Sequence, residues 1–92
     1  MEKRFQIGDR VVCVEADPHL HTTATHIGKV GTVIGQNGIH RGRLLWQIEY
    51  DEIFHYGQHN CGGLLTNNHG WNHYGHEIER YIESTINVED LL

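Results

Sequence analysis

Hydrophobic and polar residues alternate most regularly over positions 44–51. The alternation places four apolar side chains on one face, at Leu44, Trp46, Ile48 and Tyr50. The side chains between them point the other way, as in an antiparallel strand that is buried on one face. The pattern therefore predicts a strand over 44–51, with Trp46, Ile48 and Tyr50 in the core.

Three other segments carry strand or turn signals. A Gly-Asp pair leads into β-branched residues, which predicts a strand over about 10–16. Residues 27–35 predict a strand interrupted by glycines, and Gln36-Asn37-Gly38 predicts the turn that pairs this strand with 44–51. Residues 77–82 predict a short closing strand or helical turn.

Two long segments lack any hydrophobic periodicity. Residues 17–25 contain the only proline, Pro18, and predict an exposed loop. Residues 57–75 are rich in Gly, Asn and His and predict an irregular excursion that Trp71 anchors to the core.

Three motifs stand out in the strand regions: Phe5-Gln6-Ile7-Gly8-Asp9-Arg10-Val11-Val12, Gly28-Lys29-Val30-Gly31-Thr32-Val33 and Ile48-Glu49-Tyr50-Asp51-Glu52. Together they resemble those of small SH3-like barrels, including the KOW-type group. This resemblance implies a mostly β chain: one SH3-like barrel domain over residues 1–83, with a long His/Gly-rich loop. An acidic C-terminal tail over 84–92, helical or extended, completes the expected organisation.

A second run, Gly57-Gln58-His59-Asn60-Cys61-Gly62-Gly63, is followed by His69-Gly70-Trp71 and then Ile78-Glu79. This half of the chain is similar to a set of short, mostly uncharacterised bacteriophage proteins. The similarity implies a protein of the host-cell cytoplasm with a counter-defence role.

Composition narrows the class of protein. The chain has 92 residues, 38% of them hydrophobic, which fits one small domain. No apolar stretch approaches the roughly 20 residues of a membrane span, and no secretory signal is visible, so we expect a cytoplasmic protein without membrane contact. A net charge of −5 argues against general nucleic-acid binding, although residues 77–92 hold much of the negative charge and leave room for a local basic site.

Histidine and cysteine raise the question of a metal site. The chain has nine histidines, and His59, Cys61, His69 and His73 provide a candidate tetrahedral zinc set. Their spacing matches no standard zinc site, so we expect no cofactor, with Cys61 as a small buried side chain and zinc as the alternative. Cys13 and Cys61 are expected to be thiols in a reducing compartment, although the sequence leaves a bridge between them open. No motif with a catalytic mechanism is present, which predicts that the protein is not an enzyme.

Cations and aromatic residues suggest an anion site instead. Arg41 and Arg43 precede the 44–51 strand and Lys29 begins its partner, so we expect hairpin pairing to bring these cations together. Histidines, aromatic rings and glycine amides complete the predicted ligand-binding set: Lys29, Arg41, Arg43, Tyr56, His59, Cys61, Gly62, His69, Trp71 and His73. Among the aromatic residues, Tyr56, Trp71 and Tyr74 are candidates for stacking on a base. The plainer interpretation is that the arginines pair with Glu49 or Asp51 and that Trp71 and Tyr74 are core.

These features predict a non-enzymatic phage-type binding protein that sequesters a phosphate-bearing small ligand, such as a nucleotide immune signal. A single small barrel offers little concavity, so a homo-oligomer with sites between subunits is expected. Two alternatives stay open. One is a protein–protein inhibitor of a host defence enzyme that uses the acidic tail or the Pro18 loop. The other is a zinc-stabilised structural binding module.

Overall fold

The described part of the chain is a single antiparallel sheet. A computed structural model describes residues 4–16, 25–52, 61–63 and 69–82. These residues form five strands: β1 (Arg10–Cys13), β2 (Val30–His40), β3 (Arg43–Tyr50), β4 (Gly70–Tyr74) and β5 (Ile78–Arg80). Two 3-10 turns, Cys61–Gly63 and Gly75–Glu77, precede β4 and β5, respectively. None of these residues lies in an α-helix, so the prediction of a mostly β chain is confirmed.

The strands are hydrogen-bonded in the order β4-β3-β2-β1-β5, and all neighbours are antiparallel. β4 and β5 are therefore the two edges, and the sheet formed by these residues is not closed into a barrel. The long central pairing is that of β2 with β3, where Gly31 lies opposite Tyr50 and Val33 lies opposite Ile48. This register confirms the predicted pairing of the alternating segment with the glycine-interrupted strand.

One face of the sheet carries the hydrophobic core. Its buried members are Phe5, Val11, Cys13, Val33, Trp46, Ile48, Tyr50 and Ile78. The prediction that Trp46, Ile48 and Tyr50 are core residues is confirmed. The Phe5 ring meets the Trp46 ring edge-on, with 5.5 Å between centroids, which draws the segment before β1 over the core.

Gly31 marks a close approach between β2 and β3. A Cβ atom at this position would lie 2.6 Å from the Glu49 carbonyl oxygen and 2.8 Å from Ile48 Cγ2. Backbone atoms cannot move aside as a flexible side chain can, so the separation of the two strands requires a glycine here.

The prediction of a turn at Gln36-Asn37-Gly38 is wrong. β2 runs through these residues to His40, and its register against β3 shifts between Gln36 and Ile39. The positive φ of Gly38 is used in this β-bulge. The chain reverses at Arg41-Gly42, where both residues have positive φ, as a type I′ turn requires.

Other boundaries also differ from expectation. β1 ends at Cys13, three residues before the predicted end, and β4 occupies part of the segment expected to be an irregular excursion. The prediction of a short closing strand or turn over 77–82 is confirmed, because β5 spans Ile78–Arg80 and directly follows the turn Gly75–Glu77. Four stretches lie outside the described residues: 17–24, which is all but the last residue of the predicted Pro18 loop, 53–60, 64–68 and the tail from 83 onward.

No helix in the described ranges is long and apolar enough to cross a membrane.

Candidate functional site

The β2–β3 hairpin ends in a cluster of basic residues. His40 is the last residue of β2 and pairs with Arg43, the first residue of β3, across the two-residue turn Arg41-Gly42. All four residues are exposed. The positive φ of Arg41 places a long cationic side chain at the apex of the hairpin, in a backbone conformation that non-glycine residues seldom adopt.

β4 adds an aromatic residue to this end of the sheet. Tyr74 lies opposite Leu45 on β3, and directly opposed residues of antiparallel strands share a face. Arg43 and Leu45 alternate with Leu44 and Trp46, so they point away from the core. Tyr74 therefore lies with Arg43 on the outer face, which is the face opposite the core.

Three rings and a guanidinium form a row across this face. His40 Nδ1 is 2.6 Å from Tyr74 Oη, and the two rings are inclined at 30° with centroids 6.1 Å apart. The Tyr74 and His76 rings are nearly parallel, at 10°, with centroids 5.8 Å apart. Arg43 Nη1 then donates to His76 Nδ1 over 3.1 Å. We call His40, Arg41, Arg43, Tyr74 and His76 the end patch.

The end patch has a definite electrostatic character. A guanidinium only donates, so His76 Nδ1 must accept and His76 carries its proton on Nε2 in this arrangement. Within the described residues neither Arg41 nor Arg43 forms an ion pair with a carboxylate. The pairing with Glu49 or Asp51 that the plainer interpretation predicted is not seen. Both carboxylates lie at the opposite end of β3 from Arg43, and Asp51 receives two hydrogen bonds from Arg10, at 2.7 and 2.5 Å.

Lys29 does not join the arginines, contrary to the predicted proximity. It precedes the first residue of β2, whereas Arg41 follows the last, and β2 is 11 residues long. At about 3.3 Å per residue the two positions are separated by most of the length of the sheet. Lys29 Nζ lies 3.5 Å from Glu52 Oε1.

Neither His69 nor Trp71 belongs to the end patch. Trp71 lies opposite Ile48, packs against the core and meets the His26 ring with 5.3 Å between centroids. His69 Nδ1 is 3.2 Å from the Tyr50 carbonyl oxygen. Trp71 therefore lies on the face opposite the end patch, and His69 lies beside Tyr50, at the other end of β3 from the end patch.

His73 is a core residue with no exposed surface. Its Nε2 is 2.5 Å from Tyr50 Oη, and its Nδ1 is 3.2 Å from Glu77 Oε1. The same Glu77 oxygen accepts a hydrogen bond from the Tyr74 backbone N–H over 3.0 Å. This buried chain of side chains fixes the end of β4 and, through it, the position of Tyr74 in the end patch.

Cys61 is buried and lies outside the main core cluster. It begins the turn that also contains Gly62, and its thiol approaches the Ile48 carbonyl oxygen. Burial raises the pKa of Cys61 to about 11, and the nearby Glu49 carboxylate acts in the same direction. Cys13 and Cys61 are both free thiols.

The described members of the candidate zinc set do not come together. In the part of the chain that the structure describes, no three His, Cys, Asp or Glu side chains are grouped as metal ligands. His73 already contacts Tyr50 and Glu77 through both ring nitrogens. His59, the fourth candidate, and Tyr56 lie outside the described residues.

A groove lies apart from the end patch, beside Arg4 and Phe5. Arg4, Phe5, Glu79 and Arg80 line an open groove of about 410 Å³. The Arg80 guanidinium lies over the Phe5 ring at 5.8 Å, and Arg80 Nη2 donates to the Arg4 carbonyl oxygen over 3.1 Å. The groove contains a carboxylate beside its cations, so it is less suited to an anion than the end patch.

Three end-patch residues are absent from the set predicted from sequence: His40, Tyr74 and His76. The sequence signal for His40 is the Arg41-Gly42 pair. A two-residue hairpin turn at this pair places His40 opposite Arg43. Tyr74 is a stacking candidate as an aromatic residue, but no sequence signal places it or His76 beside Arg43, because their placement depends on the register between β3 and β4.

Comparison with protein-family models, with curated proteins and with solved structures finds no match to this chain. The resemblance to SH3-like barrels and to short phage proteins therefore stays a prediction from the sequence motifs.

Proposed function

We propose that this protein is a non-enzymatic binding protein that captures a phosphate-bearing small ligand through its end patch. One observation carries the proposal. Arg41 and Arg43 lie beside two exposed histidines, and neither arginine is neutralised by an ion pair to a carboxylate within the described residues.

The chemistry of the end patch suits phosphate. Guanidinium groups bind phosphate oxygens through paired, charge-assisted hydrogen bonds. Arg43 is already held by His76, so less side-chain freedom is lost when a ligand binds. The Nε2–H of His76 adds a neutral donor beside the two cations.

The buried chain of Tyr50, His73 and Glu77 contains residue types found in catalytic relays, but its setting supports a structural role. Tyr50 and His73 are 2% and 0% exposed, which keeps a substrate in solvent away from their polar atoms. Burial also raises the pKa of Tyr50 far above its ordinary value, so its hydroxyl stays protonated and is a poor nucleophile. Capture without turnover is therefore the simpler proposal.

The topology also supports assignment of the sheet to the SH3-like barrels. β4 and β5 are opposite edges, yet only the three-residue turn Gly75–Glu77 separates them in the chain. The sheet must therefore curve until these edges approach at one end. The phage counter-defence role, the cytoplasmic location and the homo-oligomer remain predictions from the sequence, as does the inhibitor alternative, whose Pro18 loop and tail lie outside the described residues.

The proposal is tested by ligand-induced stabilisation and calorimetry. The panel consists of inorganic phosphate, pyrophosphate, and nucleoside mono- and diphosphates at low ionic strength. We expect at least one compound to raise the melting temperature in a concentration-dependent way, because a ligand that binds only the folded form stabilises it. Arg41→Gln and Arg43→Gln should each weaken its binding about tenfold, as loss of a charge-assisted hydrogen bond implies.

The matched control is Arg4→Gln, which removes an exposed arginine from the groove and leaves the end patch intact. Its binding should equal that of the wild type. The proposal fails if no compound stabilises the protein, or if Arg4→Gln weakens binding as much as the two end-patch substitutions.

A further inference from the structure

We infer that the end patch recognises a planar base as well as phosphate, so that its ligand is a small nucleotide. This inference rests on the proposed function and adds a base to the phosphate as a group of the ligand that the protein recognises. It is carried by the row of rings that runs beside the two arginines.

The ring row is an ordered stacking surface. Tyr74 is half-buried in the middle, and the exposed rings of His40 and His76 flank it at 6.1 and 5.8 Å. Because His40 and His76 are exposed, the row presents ring surface to solvent, against which a further planar group can pack. Nucleobases stack on such aromatic surfaces with little dependence on sequence, because every base has a π-face.

The row is held in place from several sides before any ligand arrives. Arg43 holds the His76 ring, and the Tyr74 hydroxyl bonds His40. The Tyr74 backbone is tied to the buried Glu77 carboxylate. A rigid surface loses little freedom on binding, which favours recognition over non-specific contact.

The arrangement favours a nucleotide over simpler phosphate compounds. Arg43 contacts the end of the ring row directly, so one ligand can place phosphate on the arginines and its base on the rings. Pyrophosphate and sugar phosphates have no π-face to use the row. A long nucleic acid would bring many phosphates to a chain whose net charge is −5, which disfavours it.

The test compares ADP with pyrophosphate, since both present a diphosphate and only ADP adds a base. We expect the wild type to bind ADP at least about tenfold more tightly, as one stacked base implies. Tyr74→Leu should bring this ratio close to one and leave pyrophosphate binding within about twofold of wild type. Tyr81→Leu, which removes a half-buried tyrosine outside the patch, is the matched control and should keep the ratio.

A second substitution covers the case in which Tyr74→Leu does not fold. Tyr74→Trp enlarges the ring surface and should raise the ADP to pyrophosphate ratio, and an unchanged or lower ratio would overturn the inference. Equal wild-type binding of ADP and pyrophosphate removes base recognition but leaves phosphate capture standing. Binding of neither removes both. An eight-nucleotide thymidine oligomer that binds more tightly than ADP would overturn the small-nucleotide assignment in favour of single-stranded nucleic acid.

Discussion

The hydrogen bond between Tyr50 and His73 is buried, and its removal has a defined cost. Tyr50→Phe deletes only the hydroxyl, whose oxygen lies 2.5 Å from His73 Nε2. Because His73 has no exposed surface, water cannot replace the lost partner. A buried polar atom left unsatisfied costs about 1–3 kcal/mol, so we expect the free energy of unfolding to fall by that amount.

Urea denaturation, followed by circular dichroism, measures this cost directly. For a domain of this size the same loss lowers the melting temperature by roughly 4–8 °C per kcal/mol. Tyr81→Phe removes a hydroxyl from a half-buried tyrosine outside the network and should change the free energy of unfolding by less than about 0.5 kcal/mol.

A double-mutant cycle distinguishes the hydrogen bond from a simple change in packing. In a His73→Leu background, Tyr50→Phe leaves no ring nitrogen unsatisfied and removes a hydroxyl that has already lost this partner. We therefore expect Tyr50→Phe to cost about 1–3 kcal/mol less in this background than in the wild type, and this difference is the coupling energy. Equal costs of Tyr50→Phe in the two backgrounds, or a cost no larger than that of Tyr81→Phe, would refute the reasoning.

Three further outcomes follow from the described contacts. Gly31→Ala places a Cβ 2.6 Å from a backbone carbonyl oxygen and should lower the free energy of unfolding by about 3 kcal/mol or more, measured in urea; a loss below about 1 kcal/mol would contradict the close approach. Hydrogen bonds from Arg10 lower the pKa of Asp51, so this half-exposed pair stabilises the fold above the ordinary aspartate pKa and stops doing so as pH falls through the lowered value. Asp51→Asn should therefore cost at most about 1 kcal/mol at pH 7 and nothing at pH 2, and a larger loss at pH 2 would reverse the assigned sign. Burial raises the thiol pKa of both Cys13 and Cys61, so a thiol reagent should label them at pH 8 only after unfolding, and rapid labelling of the native protein would show that they are accessible.

The alternation over 44–51 was sufficient to predict β3 and its core residues, because burial of one face imposes the two-residue period. The position of the turn was not predictable in the same way. Asn37-Gly38 has the composition of a hairpin turn, but its glycine serves a bulge, and the chain reverses at Arg41-Gly42. Composition alone does not tell a bulge from a turn when both require positive φ.

β4 was missed because its burial depends on a polar residue. The run Gly70-Trp71-Asn72-His73-Tyr74 has no apolar alternation, and His73 occupies a core position only because Tyr50 and Glu77 satisfy its ring nitrogens. The end patch was not predicted for a related reason, since it too depends on contacts between strands. The β3–β4 register places Tyr74 opposite Leu45, on the same face as Arg43, and this register follows from tertiary pairing that leaves no local trace in the sequence.

An amide chemical-shift titration of the isotope-labelled protein with ADP tests the central claim most directly, because it reports where a ligand binds without any substitution. We expect progressive, saturable shifts concentrated at His40, Arg41, Arg43, Tyr74 and His76. Shifts concentrated around Arg4, Phe5 and Arg80, or no shifts at millimolar ADP, would contradict the claim that the end patch binds the ligand.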